Sequence, residues 1–390
     1  MNLTLSFKLP IQAAAAYFFA STCLASVEST VYPTGQFPAD VINVQNAINA
    51  GGTIHLKATD TNGVAQEFNF GSTGFVFKND FQNSTSVFLK GETKKGRTTT
   101  IHGGNLPIRA FGTGSFKLDG VRVVEPKSIG VLIQGCSHTE IMNCEIRDVI
   151  GTDNGGFTFG AGISARGDSI TGQLMIHDNS ITNVNAEDGY GILVAFLAAS
   201  VSIEQNKVKN VNLNGILVGG VVSLAKIIGN TVETGPAQDM DFTAGNGILC
   251  GHFRGGLALI ADNKVVCENQ FADGISLVGG GTAPFPANNS LIVNNEVTMH
   301  GSLFGGISLY DDSSNNRVIS NMIKGDGAVA LQISTYISGD PADRNSFLGN
   351  NISGFNYTYA SIFLDTNSSR TLVIGHNGKV IDLGTNNRIL

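Results

Sequence analysis

A six-residue pattern recurs eight times between residues 176 and 379 of this chain. It consists of an apolar residue, two variable residues, an asparagine, one variable residue and usually another apolar residue. A repeat unit of 24 to 33 residues cannot bury its own apolar side, so the copies must stack on one another. The asparagines are spaced 24 to 33 residues apart, at Asn179, Asn206, Asn230, Asn263, Asn295, Asn321, Asn350 and Asn377. An earlier copy has Cys144 in the asparagine position.

A second pattern lies between the copies of the first. It is a small residue followed by an apolar one, at the start of a stretch that alternates like a short strand. In one such stretch we expect Ile307 and Leu309 to point inward and Ser308 and Tyr310 to point outward. The small residues are Gly130, Gly162, Gly191, Gly215, Gly247, Gly274, Gly306, Ala330 and Ser361.

Each repeat therefore holds two or three short strands, and stacking at about 4.8 Å buries a continuous core. Asparagine at a fixed place in the coil suits an interior ladder of amide hydrogen bonds at a turn. Leucine-rich repeats would need LxxLxL stretches, and a propeller would need about 40 residues per blade. Neither pattern occurs in this sequence.

Composition agrees with a β-rich solenoid and excludes several other classes. Glycine accounts for 49 of the 390 residues, and 14% of residues are charged. An ordinary soluble domain has about 7% glycine and about 25% charged residues. Glycine is a poor helix former, which argues against a helical enzyme. The net charge of −7 lacks the basic excess that nucleic-acid binding requires, so we expect no nucleic-acid partner.

The chain begins with features of an export signal. Residues 1–25 contain Lys8, an apolar run and small residues before Ala25, which predicts a signal peptide. Residues 26–390 are then expected to form a single domain, secreted or periplasmic and without a membrane span. Four cysteines remain, for which buried free thiols and disulfides are the two alternatives: Cys136, Cys144, Cys250 and Cys267.

These repeats resemble those of the pectin-lyase-like superfamily of right-handed parallel β-helix proteins. The resemblance covers residues 50 to 385 and implies an all-β solenoid with an N-terminal capping helix. Asp40–Ala50 fits this helix, because four apolar residues lie on one helical face before Gly51. They are Val41, Val44, Ala47 and Ile48. The segment from Thr53 to Leu56 is predicted to be the first strand.

Residues able to do chemistry are concentrated near the longest repeats, in loops that would flank the stacked strands. The catalytic candidates are Asp188, Tyr190, His252, Arg254, Asp273, Tyr310 and Asp311. Paired carboxylates serve glycoside hydrolysis, and a basic residue next to a uronate permits β-elimination or epimerisation. A calcium site is a second hypothesis, with Asp239, Asp241 and Asp312 as ligands. Turns and solvated loops are the simpler explanation of these residues, since Asp188 and Asp273 each precede glycine.

The catalytic signatures of the superfamily are missing. Gly251-His252-Phe253 matches one element of the polygalacturonase-like set, and Asp340-Pro341-Ala342 departs from the epimerase-like Asp-Pro-His. No catalytic residue is therefore transferred from the family. Two functions remain open. One is a carbohydrate-binding or carbohydrate-active protein, such as a lyase, hydrolase or epimerase acting on uronate-containing glycans. The other is a non-catalytic structural or adhesive protein of the surface or matrix.

Overall fold

A computed structural model describes residues 27–78, 86–94, 96–112, 114–166, 170–195, 198–221, 223–235, 245–251, 253, 256–268, 271–280, 286–335, 341–376 and 378–390. The predicted signal peptide, residues 1–25, lies outside these ranges, as does Asn377. No helix in the described ranges is long and apolar enough to cross a membrane.

Strands of two large parallel sheets make up almost all of the regular structure. The first sheet forms one column of stacked strands. Its members are Glu28–Val31, Gly52–Leu56, Val87–Gly91, Ser115–Asp119, His138–Met142, Ile170–His177, Ala198–Glu204, Leu224–Ile228, Leu257–Ala261, Leu291–Val293, Arg317–Ile319, Ser346–Leu348, Leu372–Ile374 and Arg388–Ile389.

The other large sheet supplies two further columns, which each coil visits in turn. The second column contains Phe68–Gly71, Thr100–Gly103, Arg122–Val124, Glu145–Val149, Ser180–Val184, Lys207–Val211, Thr231–Thr234 and Lys264–Cys267. The third contains Phe75–Lys78, Ile108–Phe111, Ile129–Gln134, Thr158–Arg166, Asp188–Ala195, Asn214–Gly219, Ile248–Gly251, Ile275–Val278 and Val380–Asp382. Three long strands bend from the second column into the third: Glu296–Tyr310, Met322–Ser334 and Asn351–Leu364.

A few short strands lie outside the three columns. Thr152–Asp153 pairs antiparallel with the start of Thr158–Arg166 and makes a hairpin. Two pairs of two-residue strands complete the set, namely Thr93–Lys94 with Arg97–Thr98 and Ala342–Asp343 with Ser368–Ser369. The predicted all-β, parallel β-helix architecture is confirmed.

The helix Ala39–Ala50 covers the first coil as expected. Val44 and Ile48 are buried, while Val41 and Ala47 pack against the same core. Asp40 is fully buried, and its carboxylate accepts hydrogen bonds from the backbone N–H groups of Thr34 and Asn69. The expectation that Thr53–Leu56 is the first strand was wrong, because Glu28–Val31 pairs parallel with it. That earlier strand belongs to no repeat, so periodicity gave no signal for it.

A single apolar core runs the length of the stack, from Val31 to Val373. A small residue lies within or just before each third-column strand from Ile129–Gln134 to Asn351–Leu364, and packing explains its size. A Cβ on Gly191 would lie 2.3 Å from Val208 Cγ1 and 2.5 Å from the Gly215 carbonyl oxygen. A side chain is therefore excluded at Gly191, whereas the later coils have the small residues Ala330 and Ser361 at the equivalent position. The four described cysteines are buried and free, as the first alternative predicted.

The asparagine ladder is present from Asn179 to Asn350. Asn206 shows the repeating unit. Its backbone N–H and its side-chain amide both donate to Asn230 Oδ1, at 2.9 and 3.0 Å. The same side-chain amide donates to the Ile176 carbonyl of the preceding coil at 2.8 Å. Cys144 begins the series, because its N–H donates to Asn179 Oδ1. Each amide thus satisfies backbone groups that a turn would otherwise bury unpaired.

Replacing Asn230 by alanine should lower the free energy of unfolding by about 3 kcal/mol, because several buried partners lose their hydrogen bonds. These include the Asn206 N–H and the Ile203 carbonyl. Urea denaturation followed by circular dichroism measures the change. Asn356→Ala is the matched control, since Asn356 is exposed on a strand near the end of the stack. Equal stabilities for the two variants would contradict the role of the ladder.

Candidate functional site

The outer face of the third column carries most of the described residues that were predicted to be catalytic. Strand register fixes which of them share a row along the stack. Tyr190, Asn214, Asn246, Asp273 and Gly305 occupy one row on successive coils. Tyr190 and Asp273 are thus three strand spacings apart, or about 14 Å. The described catalytic candidates Tyr190 and Asp273 therefore belong to two separate groups on one face.

The first group lies near the N-terminal end of this face. A small apolar cluster sits outside the barrel there, formed by Ile129, Leu132 and Ala161 and covered by Leu106, Phe159 and Tyr190. Two arginines lie beside it. The Arg166 guanidinium is 4.3 Å from the centroid of the Phe159 ring, and Arg109 is 5.5 Å from that of Phe111. We call Arg109, Gln134, Phe159, Arg166 and Tyr190 the arginine site.

Within the described ranges, no carboxylate forms an ion pair with the guanidinium groups of the arginine site. Among the described residues, Arg166 Nε donates to Ser164 Oγ at 3.0 Å, and Arg109 Nη2 donates to Gln134 Oε1 at 3.2 Å. Arg109 Nε is buried and has no hydrogen-bond partner in this part of the chain. Burial lowers the pKa of Arg166. Half-buried cations with donors to spare favour an anionic ligand, above all a carboxylate that accepts two parallel hydrogen bonds.

Register also sets the distance between the two arginines. Arg109 pairs with Leu132 and Leu132 with Ser164, so Arg109 and Ser164 share a row. Since Arg166 bonds Ser164, the arginines are two strand spacings apart along the stack, about 10 Å. Gln134 lies in register with Arg166 on the intervening coil. The site is therefore elongated along the helix axis.

Tyr190 belongs to the coil that follows Arg166, and Asp188 lies on the same strand next to the arginine site. Burial, then the nearby Asp188, raises the pKa of Tyr190 to about 12. Burial and Glu187 also raise the pKa of Asp188. Tyr190 consequently keeps its proton at neutral pH and offers a hydrogen-bond donor or an acid. The phenolate needed for proton abstraction is not its resting form.

The hairpin beside the site is tied to this coil by Glu187. Its carboxylate accepts from the Thr158 N–H at 2.6 Å, and the Glu187 N–H donates to Thr158 Oγ1 at 2.9 Å. Thr158 immediately precedes Phe159, the ring under Arg166. The reciprocal bonds therefore fix the position of the ring on which the guanidinium lies.

The second group is a buried hydrogen-bond network centred on Asp273. The Asp273 carboxylate accepts from the Gly305 N–H at 2.9 Å, from Ser308 Oγ at 2.5 Å and from Tyr310 Oη at 3.0 Å. Gln332 Nε2 donates to both Ser308 Oγ and Tyr310 Oη at 2.8 Å. Because Gln332 occupies acceptor positions on both hydroxyl groups, their hydrogens point to Asp273. We call these four side chains the Asp273 network.

Burial dominates the electrostatics of this network. Asp273 is 2% exposed and Ser308 is fully buried. Desolvation raises the pKa of Asp273 to about 6, against the opposing effect of its hydrogen bonds. Ser308 and Tyr310 point away from the barrel interior as predicted, but both are buried. The sequence suggested a simple turn at Asp273-Gly274, whereas the structure shows an enclosed carboxylate.

Of the remaining residues predicted to be catalytic or to bind calcium, the structure describes Asp311 and Asp312. Asp311 is 1% exposed, has a φ of +47° and donates its N–H to the Ser334 carbonyl. Asp312 is half-buried, and its carbonyl accepts from the Ala287 N–H. His252, Arg254, Asp239 and Asp241 lie outside the described residues. The described residues contain no group of three or more acidic, histidine or cysteine side chains placed to hold a metal. The calcium site stays a prediction.

Sequence reasoning missed several members of both groups. Arg109 lies in a weak early coil, and Gln332 lies on a strand whose small residue is Ala330 instead of glycine. Phe159 precedes the small residue Gly162, at which the sequence pattern started the strand, but it belongs to the strand Thr158–Arg166. Aligning third-column strands by their inward Ile and Val residues would have put Gln134 and Arg166 in one row. That alignment was the signal in the sequence that could have revealed the arginine site.

The raised pKa of Asp273 gives a stability difference that depends on pH. Its pKa is higher in the folded protein than its ordinary 3.8, so its contribution to stability is greatest below about pH 4. That contribution declines as the pH rises to about 6. Relative to Asp273→Asn, the wild type should lose on the order of 3 kcal/mol of unfolding free energy between pH 4 and pH 7.

Chemical denaturation of both proteins at the two pH values measures this difference. Asp326→Asn is the matched control for the chemical change, because Asp326 is exposed and also precedes glycine. A difference between wild type and Asp273→Asn that stays constant with pH would contradict the raised pKa.

Comparison with known proteins agrees with the architecture. A family model described as a right-handed beta helix region matches residues 67–232. The Azotobacter vinelandii mannuronan C-5 epimerase AlgE6 A-module has a TM-score of 0.52 at 14% identity, over 86% of this chain and 95% of that one. No curated protein matches the sequence at a significant level.

Two further solved structures are similar. PfbA, a surface adhesin of Streptococcus pneumoniae, gives a TM-score of 0.46 at 11% identity, over 87% of this chain and 91% of that one. The periplasmic alginate epimerase AlgG gives 0.43 at 14% identity, over 83% and 77%. Sequence identities of 11 to 14% indicate a similar fold and nothing about function. From its stacked coils and the matching family model, this chain is a right-handed parallel β-helix protein.

Proposed function

We propose that this protein binds an acidic polysaccharide, one that carries uronate carboxylates, at the arginine site. One observation carries the proposal: Arg109 and Arg166 are half-buried cations without carboxylate partners among the described residues. A bound carboxylate would supply the acceptors that their guanidinium donors lack. Other described arginines, such as Arg122 and Arg370, do have acidic partners.

The shape of the site suits an extended chain. The arginines lie about 10 Å apart along the stack, with the apolar rings of Phe159 and Tyr190 beside them. Aromatic rings provide broad, rigid contact area with little entropy to lose, and their faces pack against the C–H groups of sugar rings. Carboxylates of an acidic polysaccharide would then meet Arg109 and Arg166 in turn.

Binding is better supported than turnover. Tyr190 is protonated at neutral pH because its pKa is about 12, and Asp273 is enclosed by its own hydrogen bonds. Tyr190 remains a candidate acid, positioned beside Arg166 for a uronate carboxylate. The likeness to a mannuronan C-5 epimerase module is one of fold and adds no catalytic residue. The catalytic roles of the residues in both groups stay predictions.

The proposal includes export of a single mature domain. Residues 1–25 have the composition of a signal peptide, and residues 26–390 would then be secreted or periplasmic. Extracellular polysaccharides are accessible to a protein in those compartments. N-terminal sequencing of the protein from its native source would identify the mature start.

Replacing Arg166 by alanine should weaken binding of a uronate polymer by at least tenfold, because a charge-assisted bidentate pair is lost. Arg109→Ala should have a smaller effect in the same direction, because its Nε is buried. Affinity electrophoresis or calorimetry with polyuronate measures both. Arg317→Ala is the matched control, since Arg317 is exposed on the first column.

Unchanged affinity in Arg166→Ala would refute the arginine site as the binding surface. The same samples can be assayed for unsaturated uronates, new reducing ends and epimer ratio. Product formation that is lost in Tyr190→Phe would assign an enzyme. Polymer binding without product would favour the adhesive alternative.

A further inference from the structure

A second group of aromatic residues lies on the same sheet near the C-terminal end of the stack. Tyr357 and Tyr359 are 39% and 48% exposed on the strand Asn351–Leu364. The Tyr359 and Phe363 rings meet edge to face, with centroids 5.5 Å apart. Lys379 Nζ lies 5.7 Å from the Tyr359 centroid and donates to the Tyr359 carbonyl at 3.0 Å. We call Tyr357, Tyr359, Phe363 and Lys379 the aromatic-lysine patch.

This patch has the same chemistry as the arginine site. In each, a cation lies against an aromatic ring and that ring contacts a second one. The pairs are Arg166 on Phe159 next to Tyr190, and Lys379 on Tyr359 next to Phe363. No carboxylate lies within ion-pair distance of Lys379 among the described residues. A cation beside exposed rings suits a ligand that has both an apolar face and a negative charge.

Strand register relates the two places. Seven successive pairings lead from the Ile163 strand to the Ile362 strand. At about 4.8 Å per pairing, they lie about 34 Å apart along the stack. Between them, Ser276 and Ser308 are fully buried, so a ligand would contact the two ends and pass over the covered middle.

We propose that the aromatic-lysine patch is a second subsite for the same acidic polysaccharide, so that only chains long enough to reach from the arginine site bind at both. This inference rests on the proposed function. A chain held at one site presents its far end to the other at high effective concentration, which strengthens binding without any new contact. Fragments shorter than about 34 Å bind at one site at a time.

A length series of uronate oligomers tests this proposal by calorimetry on the full chain. Tyr359→Ala should weaken binding of polymeric uronate about tenfold and leave affinity for short oligomers at the arginine site unchanged. Lys379→Ala should act in the same direction. In contrast, Arg166→Ala should weaken binding at every length. Tyr32→Ala and Lys226→Ala are matched controls, because both residues are exposed elsewhere on the molecule.

The outcomes separate the two proposals. If Arg166→Ala weakens polymer binding and Tyr359→Ala does not, the second subsite is refuted and the arginine site stands. Equal effects of Tyr359→Ala on short and long chains also refute bridging. If neither variant weakens binding, the proposed function fails. Circular dichroism of Tyr359→Ala confirms that the exposed substitution leaves the fold intact.

Discussion

The hydrogen bonds between stacked asparagine amides hold the coils from Asn179 to Asn350 in register. Parallel strands with a side-chain period of two tolerate no slip, because a shift of one residue would exchange the inner and outer faces. Each amide bonds backbone groups of the neighbouring coil, so neighbouring coils meet in one register. Insertions between asparagines then lengthen loops without disturbing the columns, which is why spacings of 24 to 33 residues coexist in one stack.

Strand register brings residues that are far apart in the sequence close together on the surface. Arg109 and Arg166 are 57 positions apart in the chain, yet two strand spacings separate them in space. The same rule puts Tyr190 and Asp273 in one row, three coils apart. A solenoid of this kind presents long rows of side chains, one from each coil. An extended polymer is the ligand whose shape matches such rows.

The Asp273 network and the arginine site differ in whether their charged side chains have hydrogen-bond partners within the protein. Asp273 is enclosed and has its hydrogen bonds supplied by Gly305, Ser308 and Tyr310, so no ligand is needed to satisfy it. Among the residues that the structure describes, Arg109 Nε has no hydrogen-bond partner, and both Arg109 and Arg166 lie beside aromatic rings without a carboxylate partner. A buried polar group that is already satisfied contributes to structure, whereas an unsatisfied cation at a surface favours a partner. That contrast supports the proposal that a ligand binds at the arginine site.

The sequence by itself determined the coil. Strand and helix periodicity reveals three local signals: the repeated asparagines, the small residues of the third-column strands, and the helical face of Val44 and Ile48. The strand Glu28–Val31 gave no such signal, because it belongs to no repeat. Tertiary structure alone decided the sites. Whether Asp273 is a turn residue or a buried hub depends on Ser308, Tyr310 and Gln332 on later coils, and whether Arg109 has an acidic partner depends on its neighbours in space. Those contacts arise from how the coils stack and which loops cover them, and neither is encoded in the spacing of the repeat.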